Sequence, residues 1–292
     1  MVTGASSGLG AAIAGNLARA GARVVMACRD DEKGARLASK LGANVEVRNL
    51  DLADLRSVRA FAANLGEIDV LVNNAGVMAT PRRATVDGFE LQIGTNHLGH
   101  FALTCLLMDR ISDRVVTMSS QAHRTGRVDV DDLNWERRRY RRWGAYAQSK
   151  LANLLFTYEL GRRLTAAGSG RRAVAAHPGY AATNLQSHTD SFQDQVMRIG
   201  NLFVAQSAQV GALPALYAAT VPDVATGDYV GPSGRLELGG YPTLVRSSKR
   251  SHDLATARAL GALRGAHRGG TDDVASVVAR RVARALRPAA RG

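Results

Sequence analysis

Short apolar runs alternate with longer helical patterns along most of this chain, and that alternation limits the folds open to it more than any other feature. Five runs read as buried strands: residues 22–28 (ARVVMAC), 44–50 (NVEVRNL), 68–76 (IDVLVNNAG), 114–120 (RVVTMSS) and 172–179 (RAVAAHPG). Their near-continuous apolar content suits a sheet covered on both faces. Between them, residues 9–20, 31–41, 55–65, 89–108 and 146–165 carry helical spacing. Strand–helix alternation predicts a parallel, doubly wound α/β sheet in three layers, with right-handed crossovers. A last strand is expected near residues 227–231 (GDYVG). No repeat and no strong linker breaks the pattern before about residue 264. The chain therefore reads as one α/β domain, residues 1–263, and a basic tail, residues 264–292.

The chain opens on MVTGASSGLG, where Gly4, Gly8 and Gly10 follow a G-x-x-x-G-x-G spacing. Glycines let backbone N–H groups approach a pyrophosphate, and the helix after them presents its positive N-terminus to it. Ser6 and Ser7 add hydroxyl donors, and Leu9 lies between the last two glycines. Such a turn normally comes after a buried central strand, yet only Met1 and Val2 precede Thr3. Losing about three buried aliphatic side chains costs roughly 5–9 kcal/mol. The expectation is a truncated first strand and a natural product that starts upstream.

The net charge is +13, from 38 Lys and Arg against 25 Asp and Glu. The excess gathers in ERRRYRRW (residues 136–143) and in the tail. No helix-turn-helix, zinc ligand set or interleaved aromatic platform accompanies it, so nucleic acid is not the expected partner. No run approaches the roughly 18 apolar residues of a membrane span. Cys28 and Cys105 lie far apart in apolar runs, which fits a reduced, cytoplasmic compartment better than a disulfide. His97, His100, His123 and His177 lack metal-ligand spacing and read as packing or surface residues, so no metal is expected. In the tail, Val274, Val278 and Val282 share a helical face behind Thr271, a fitting cap, but read as an extension without function.

Polar elements recur where strands should end: NNAG (Asn73–Gly76), MSS (Ser119 and Ser120), YAQSK (Tyr146 and Lys150) and HPG with Thr183. Tyr146 and Lys150 are four apart at a helix start, hence on one face. In a doubly wound sheet, ligands bind outside the carboxyl ends of the strands. With these motifs the chain resembles the short-chain dehydrogenases/reductases over about Thr3 to Leu263. The phrases VVMACRD, NNAGVM, TNHLGHF, DDLNW and YAQSKLAN look most like the retinol-dehydrogenase-like branch, akin to protochlorophyllide reductases.

The resemblance implies a Rossmann-like fold and hydride transfer between a nicotinamide cofactor and a carbonyl or alcohol. A carbonyl accepting hydride needs a proton donor, and free Tyr, with a pKa near 10, is a poor one at pH 7. Lys150 is a cation placed to lower the Tyr146 pKa. By the resemblance, Lys150 also holds the nicotinamide ribose, Ser120 rather than Ser119 holds the substrate oxygen, and Asn96 supports a water relay to Lys150. The cofactor-binding set is Gly4, Ser6, Ser7, Gly8, Leu9, Gly10, Arg29, Asp51, Leu52, Asn73, Ala75, Gly76, Tyr146, Lys150, Pro178, Gly179 and Thr183.

Cofactor choice turns on the end of the second strand. An acidic residue there would bind the ribose 2′-hydroxyl of NAD(H). By register with the family it resembles, that position is neutral Cys28, and Arg29 next to it suits a 2′-phosphate. Asp30 falls two positions late, where it suits a helix cap. NADP(H) is therefore expected over NAD(H). Residues 184–205 are expected to form a substrate lid, and Leu185, Phe192, Met197, Leu202 and Phe203 suggest an apolar aldehyde or ketone. The small-molecule substrate is the expected partner, and a homo-oligomer is compatible with the sequence. The alternatives are a non-catalytic NADP(H)-binding sensor or scaffold, and a protochlorophyllide-reductase-like photoenzyme. The acid–base set favours the enzyme, because a sensor has no need of it.

Overall fold

The protein is described by a computed structural model, and the account covers residues 1–179 and 208–261. Eight strands form one sheet in the order β3-β2-β1-β4-β5-β6-β7-β8. They are β1 (Val2–Thr3), β2 (Val24–Cys28), β3 (Val45–Asn49), β4 (Ile68–Asn73), β5 (Ile111–Met118), β6 (Arg172–Ala176), β7 (Tyr229–Pro232) and β8 (Pro242–Leu244). All neighbours pair in parallel except β7 and β8. The expected doubly wound α/β sheet is present.

Alternation along the strands sorts the core onto two faces, because successive side chains point to opposite sides. Leu71, Val115 and Ala173 face one layer, built from α3 (Leu55–Asn64), α5 (Gly99–Leu107) and α6 (Arg142–Ala166). Their neighbours Val72, Val116 and Val174 face the other layer, which includes α1 (Gly8–Arg19) and α8 (Leu213–Thr220). The other described α-helices are α2 (Asp31–Leu41), the short α4 (Leu91–Ile93) and α7 (Ala208–Gly211), and α9 (Leu254–Gly261).

The first strand has only two residues, yet it holds the central position. Val2 pairs with Met26 of β2 and with Val72 of β4. The Met1 amino group donates to the Val70 carbonyl at 2.9 Å, and Val72 N–H donates to the Met1 carbonyl at 2.9 Å. Strand order reverses at β1, and this reversal opens the crevice where a ligand fits.

Three elements differ from the sequence expectation. The helix predicted over 89–108 is broken by a π-helical turn, Gly94–Leu98, between α4 and α5. Glycines bracket that turn because its neighbours are close. A Cβ on Gly94 would run into Thr85, and one on Gly99 into the Leu52 carbonyl. Helix α6 begins at Arg142, so Tyr146 and Lys150 lie in its second and third turns rather than its first. Strand β8 adds an antiparallel edge, with Pro242 at its first position, where a ladder N–H is least needed. The proposed lid, residues 184–205, and the tail, residues 264–292, lie outside the described residues.

Candidate active site

The crevice begins at the glycine turn. Gly4 has φ +63° and Gly8 has φ +54°, backbone conformations that favour glycine. A Cβ on Gly10 would strike the Gly4 carbonyl oxygen and come within 2.6 Å of Asn74 Nδ2. One on Gly4 would come within 2.8 Å of Ala75 Cα. The glycines therefore let the turn lie directly against the NNAG loop. Ser7 is the N-cap of α1 but makes no side-chain cap, and the first turn holds no acidic residue. That helix end is electropositive and open to an anion. Gly10→Ala is expected to displace the turn and weaken its binding of a dinucleotide in a fluorescence titration, because the Gly4 backbone that the new Cβ meets cannot yield.

The NNAG loop is held from below. Thr3 Oγ1 accepts from Asn74 N–H at 2.9 Å and Ala75 N–H at 3.0 Å, and Asn74 Nδ2 donates to the Thr3 carbonyl at 2.8 Å. Asn73 turns away into the core, donating from Nδ2 to Thr104 Oγ1 at 2.9 Å, while its Oδ1 is buried without a partner. Gly76 is the floor of the site: a Cβ there would lie 3.1 Å from Asn96 Oδ1 and 3.6 Å from Lys150 Nζ.

The structure brings Ser120, Tyr146, Lys150 and Asn96 together around this floor. Ser120 caps a 3₁₀ turn, Gln121–Thr125, by accepting from Ala122 N–H. Ser119 instead turns inward and donates to the Lys150 carbonyl at 2.9 Å. Lys150 Nζ donates to the Met118 carbonyl at 3.3 Å and stands 5.7 Å from the centroid of the Tyr146 ring. Asn96 lies within the π-helical turn and clasps Val77, accepting from its N–H at 2.7 Å and donating to its carbonyl at 2.9 Å.

Burial dominates the electrostatics. It pushes the Tyr146 phenol up to about 12, with a Ser120 hydrogen bond pulling the other way. The direction is opposite to the lowering expected from Lys150, because taking the phenolate out of water is the largest contribution. Burial also pulls Lys150 down to about 8. At neutral pH the pair is a protonated phenol beside a cation that is close to releasing its proton.

The outer residues define the far end of the crevice. Cys28 ends β2 and is buried, with its thiol near Ser6. Arg29 is exposed, and its guanidinium makes no hydrogen bond or ion pair among the described residues. Asp30 caps α2 by accepting from Lys33 N–H at 2.9 Å. Asp51 is half-buried and accepts from Ala53 N–H, whereas Asp54 caps α3. Leu52 is buried, its backbone against Gly99. Pro178 and Gly179 come after β6, Gly179 with φ +70°, and Thr183 lies outside the described residues. The Arg cluster sits in the loop before α6, where Arg138 stacks 3.9 Å over the Trp135 ring.

Sequence reasoning missed Thr3 and Asn74, whose hydrogen bonds tie the glycine turn to the NNAG loop. His97, His100, His123 and His177 are all buried, each with a hydrogen-bond partner. Among the described residues no cluster of His, Cys, Asp and Glu could hold a metal, and no helix is long and apolar enough to cross a membrane.

Comparison with known proteins gives the family. A family profile described as short chain dehydrogenase matches residues 1–194. A human protein named retinol dehydrogenase 13 is 45% identical over 244 residues, covering 77% of this chain and 72% of its own. A crystal structure of an uncharacterized protein from Mycobacterium paratuberculosis is 51% identical, with a TM-score of 0.78, covering 95% of this chain and 91% of that one. A structure from Beutenbergia cavernae, described as an NAD(P)-dependent gluconate 5-dehydrogenase with bound NADP, is 28% identical with a TM-score of 0.58. It covers 75% of this chain and 88% of its own. The chain belongs to the short-chain dehydrogenase family of oxidoreductases, in its retinol-dehydrogenase-like branch.

Proposed function

We propose that the protein is an NADPH-dependent carbonyl reductase that acts on an apolar aldehyde or ketone. The observation that carries this reading is the convergence of Tyr146, Lys150, Ser120 and Asn96 on one glycine floor beside an open helix N-terminus. The residues present fit a nicotinamide dinucleotide: two glycines whose Cβ atoms have no room, an uncapped helix end, and a floor without a side chain. NADPH bound there supplies the hydride.

The chain's own residues do the rest. Ser120 orients the substrate oxygen and stabilises the charge that develops on it. The Tyr146 phenol, kept protonated by burial, gives its proton to that oxygen. Lys150 keeps positive charge at the site and orients the cofactor ribose. Asn96 fixes the Val77 backbone, so that Gly76 stays against Lys150. At the adenosine end, the unpaired Arg29 guanidinium takes the 2′-phosphate. The acidic side chains near the β2 end are already engaged, Asp30 as a helix cap and Asp31 by the Asn49 amide, which weakens the case for NAD(H).

A panel of apolar aldehydes and ketones with NADPH and NADH, run beside Tyr146→Phe, tests the activity. Turnover that Tyr146→Phe removes supports it; binding of NADPH with no rate sensitive to residue 146 favours the non-catalytic sensor. For the cofactor, Arg29→Ala is expected to raise the NADPH KM about tenfold while leaving the NADH KM within about twofold, as befits one charge-assisted contact. An equal change in both would remove Arg29 from the 2′-phosphate site.

A further inference from the structure

We propose that His100 is a positioning residue that closes a ring of hydrogen bonds around the floor of the active site and couples the cofactor cradle to Asn96. The inference rests on the oxidoreductase reading, but the ring itself is a matter of geometry. His100 Nδ1 lies 3.1 Å from the Asn96 carbonyl oxygen, which only accepts, so Nδ1 carries the proton. Nε2, 2.8 Å from Thr3 Oγ1, is then the acceptor, and the threonine hydroxyl donates to it. Thr3 Oγ1 remains free to accept, as it does from Asn74 N–H and Ala75 N–H.

The ring runs from Ala75 through Gly76 to Val77 along the backbone. It passes from Val77 N–H to Asn96 Oδ1, from the Asn96 carbonyl to His100, and from His100 to Thr3. It returns from Thr3 to Ala75. Every donor in it meets an acceptor, and the imidazole and the Thr3 hydroxyl each donate on one side and accept on the other. Gly76 is a member of the ring, and a Cβ on it would lie 3.6 Å from Lys150 Nζ.

The imidazole is 1% exposed. Burial pulls its pKa down to about 3, and neighbouring Lys150 and His97 push the same way. It therefore stays neutral through the working range of pH, and the ring keeps its direction.

Two measurements test this. In the wild-type protein, nitrogen NMR of the labelled imidazole is expected to show the Nδ1–H tautomer, unchanged from pH 5 to 8. His100→Phe keeps a ring of similar bulk and opens the circuit. It is expected to raise the NADPH dissociation constant about tenfold and to lower kcat, with the carbonyl KM little changed. His100→Gln retains one donor and one acceptor and is expected to recover most of both. An Nε2–H tautomer, an imidazole that titrates in that range, a folded His100→Phe that matches wild type, or a Gln variant as impaired as Phe would each overturn the proposal. If wild-type protein binds NADPH but reduces no carbonyl, the proposed activity fails, while the tautomer and the binding constants still judge His100.

Discussion

Tyr146→Phe is expected to lower kcat/KM for carbonyl reduction by about 10²–10⁴-fold, the usual worth of a positioned proton donor. The variant should fold and bind NADPH as wild type does. The Tyr146 ring is 6% exposed and packs edge-on against Trp143 at 6.0 Å, and phenylalanine keeps that contact. Only the phenol proton and its contact with Ser120 are lost. Steady-state kinetics beside a binding titration separates the two effects. Because burial holds the phenol up to about 12, it is protonated at neutral pH, the form that carbonyl reduction needs. Retention of wild-type rates would end the acid–base assignment.

Lys150→Met is expected to lose activity by a similar factor and to gain stability. A buried ammonium is costly: Lys150 is 4% exposed, and burial lowers its pKa from 10.5 to about 8. At about 1.4 kcal/mol per unit, this is on the order of 3 kcal/mol held against folding at neutral pH. Between about 8 and 10.5 the unfolded chain binds the proton that the folded protein has released. Wild-type stability should therefore rise with pH across that window and be least favoured by this group below it. The methionine variant should unfold several degrees higher at pH 7 and lack that rise. The same group sets a rate limb: reduction by wild type should hold level below about pH 8 and decline above it as the cation is lost. A melting temperature that falls, with no change in the pH dependence, would show that the ammonium is structural.

Much of the architecture was legible because the signals were local. Period and apolar content located β2 to β7 to within a few residues, and the motifs fell where strands end because the crevice lies there. Ser120 could be preferred to Ser119 from the resemblance alone, and in the structure it is Ser119 that is consumed by the Lys150 carbonyl. The features that escaped were non-local. Thr3 reads as part of a glycine motif, and only the pairing of β1 with β4 shows that its hydroxyl supports Asn74 and Ala75. His100 reads as helix filler until Thr3 is placed beneath it. Strand β8 has three residues and a proline, too little pattern to detect. The direction of the Tyr146 shift depends on burial, which spacing along a helix does not report.

The π-helical turn at Gly94–Leu98 has a consequence for how this chain can change its length. A turn of this kind is a helix carrying one residue more than the ordinary ladder needs. Removing a residue there would restore that ladder and draw in the widened turn that carries Asn96. Asn96 and His100, four positions apart and joined through one carbonyl, would no longer meet Val77 and Thr3 from the same helix. A deletion inside these five residues is therefore expected to break both contacts at once, whereas one in a surface loop away from the crevice leaves them in place.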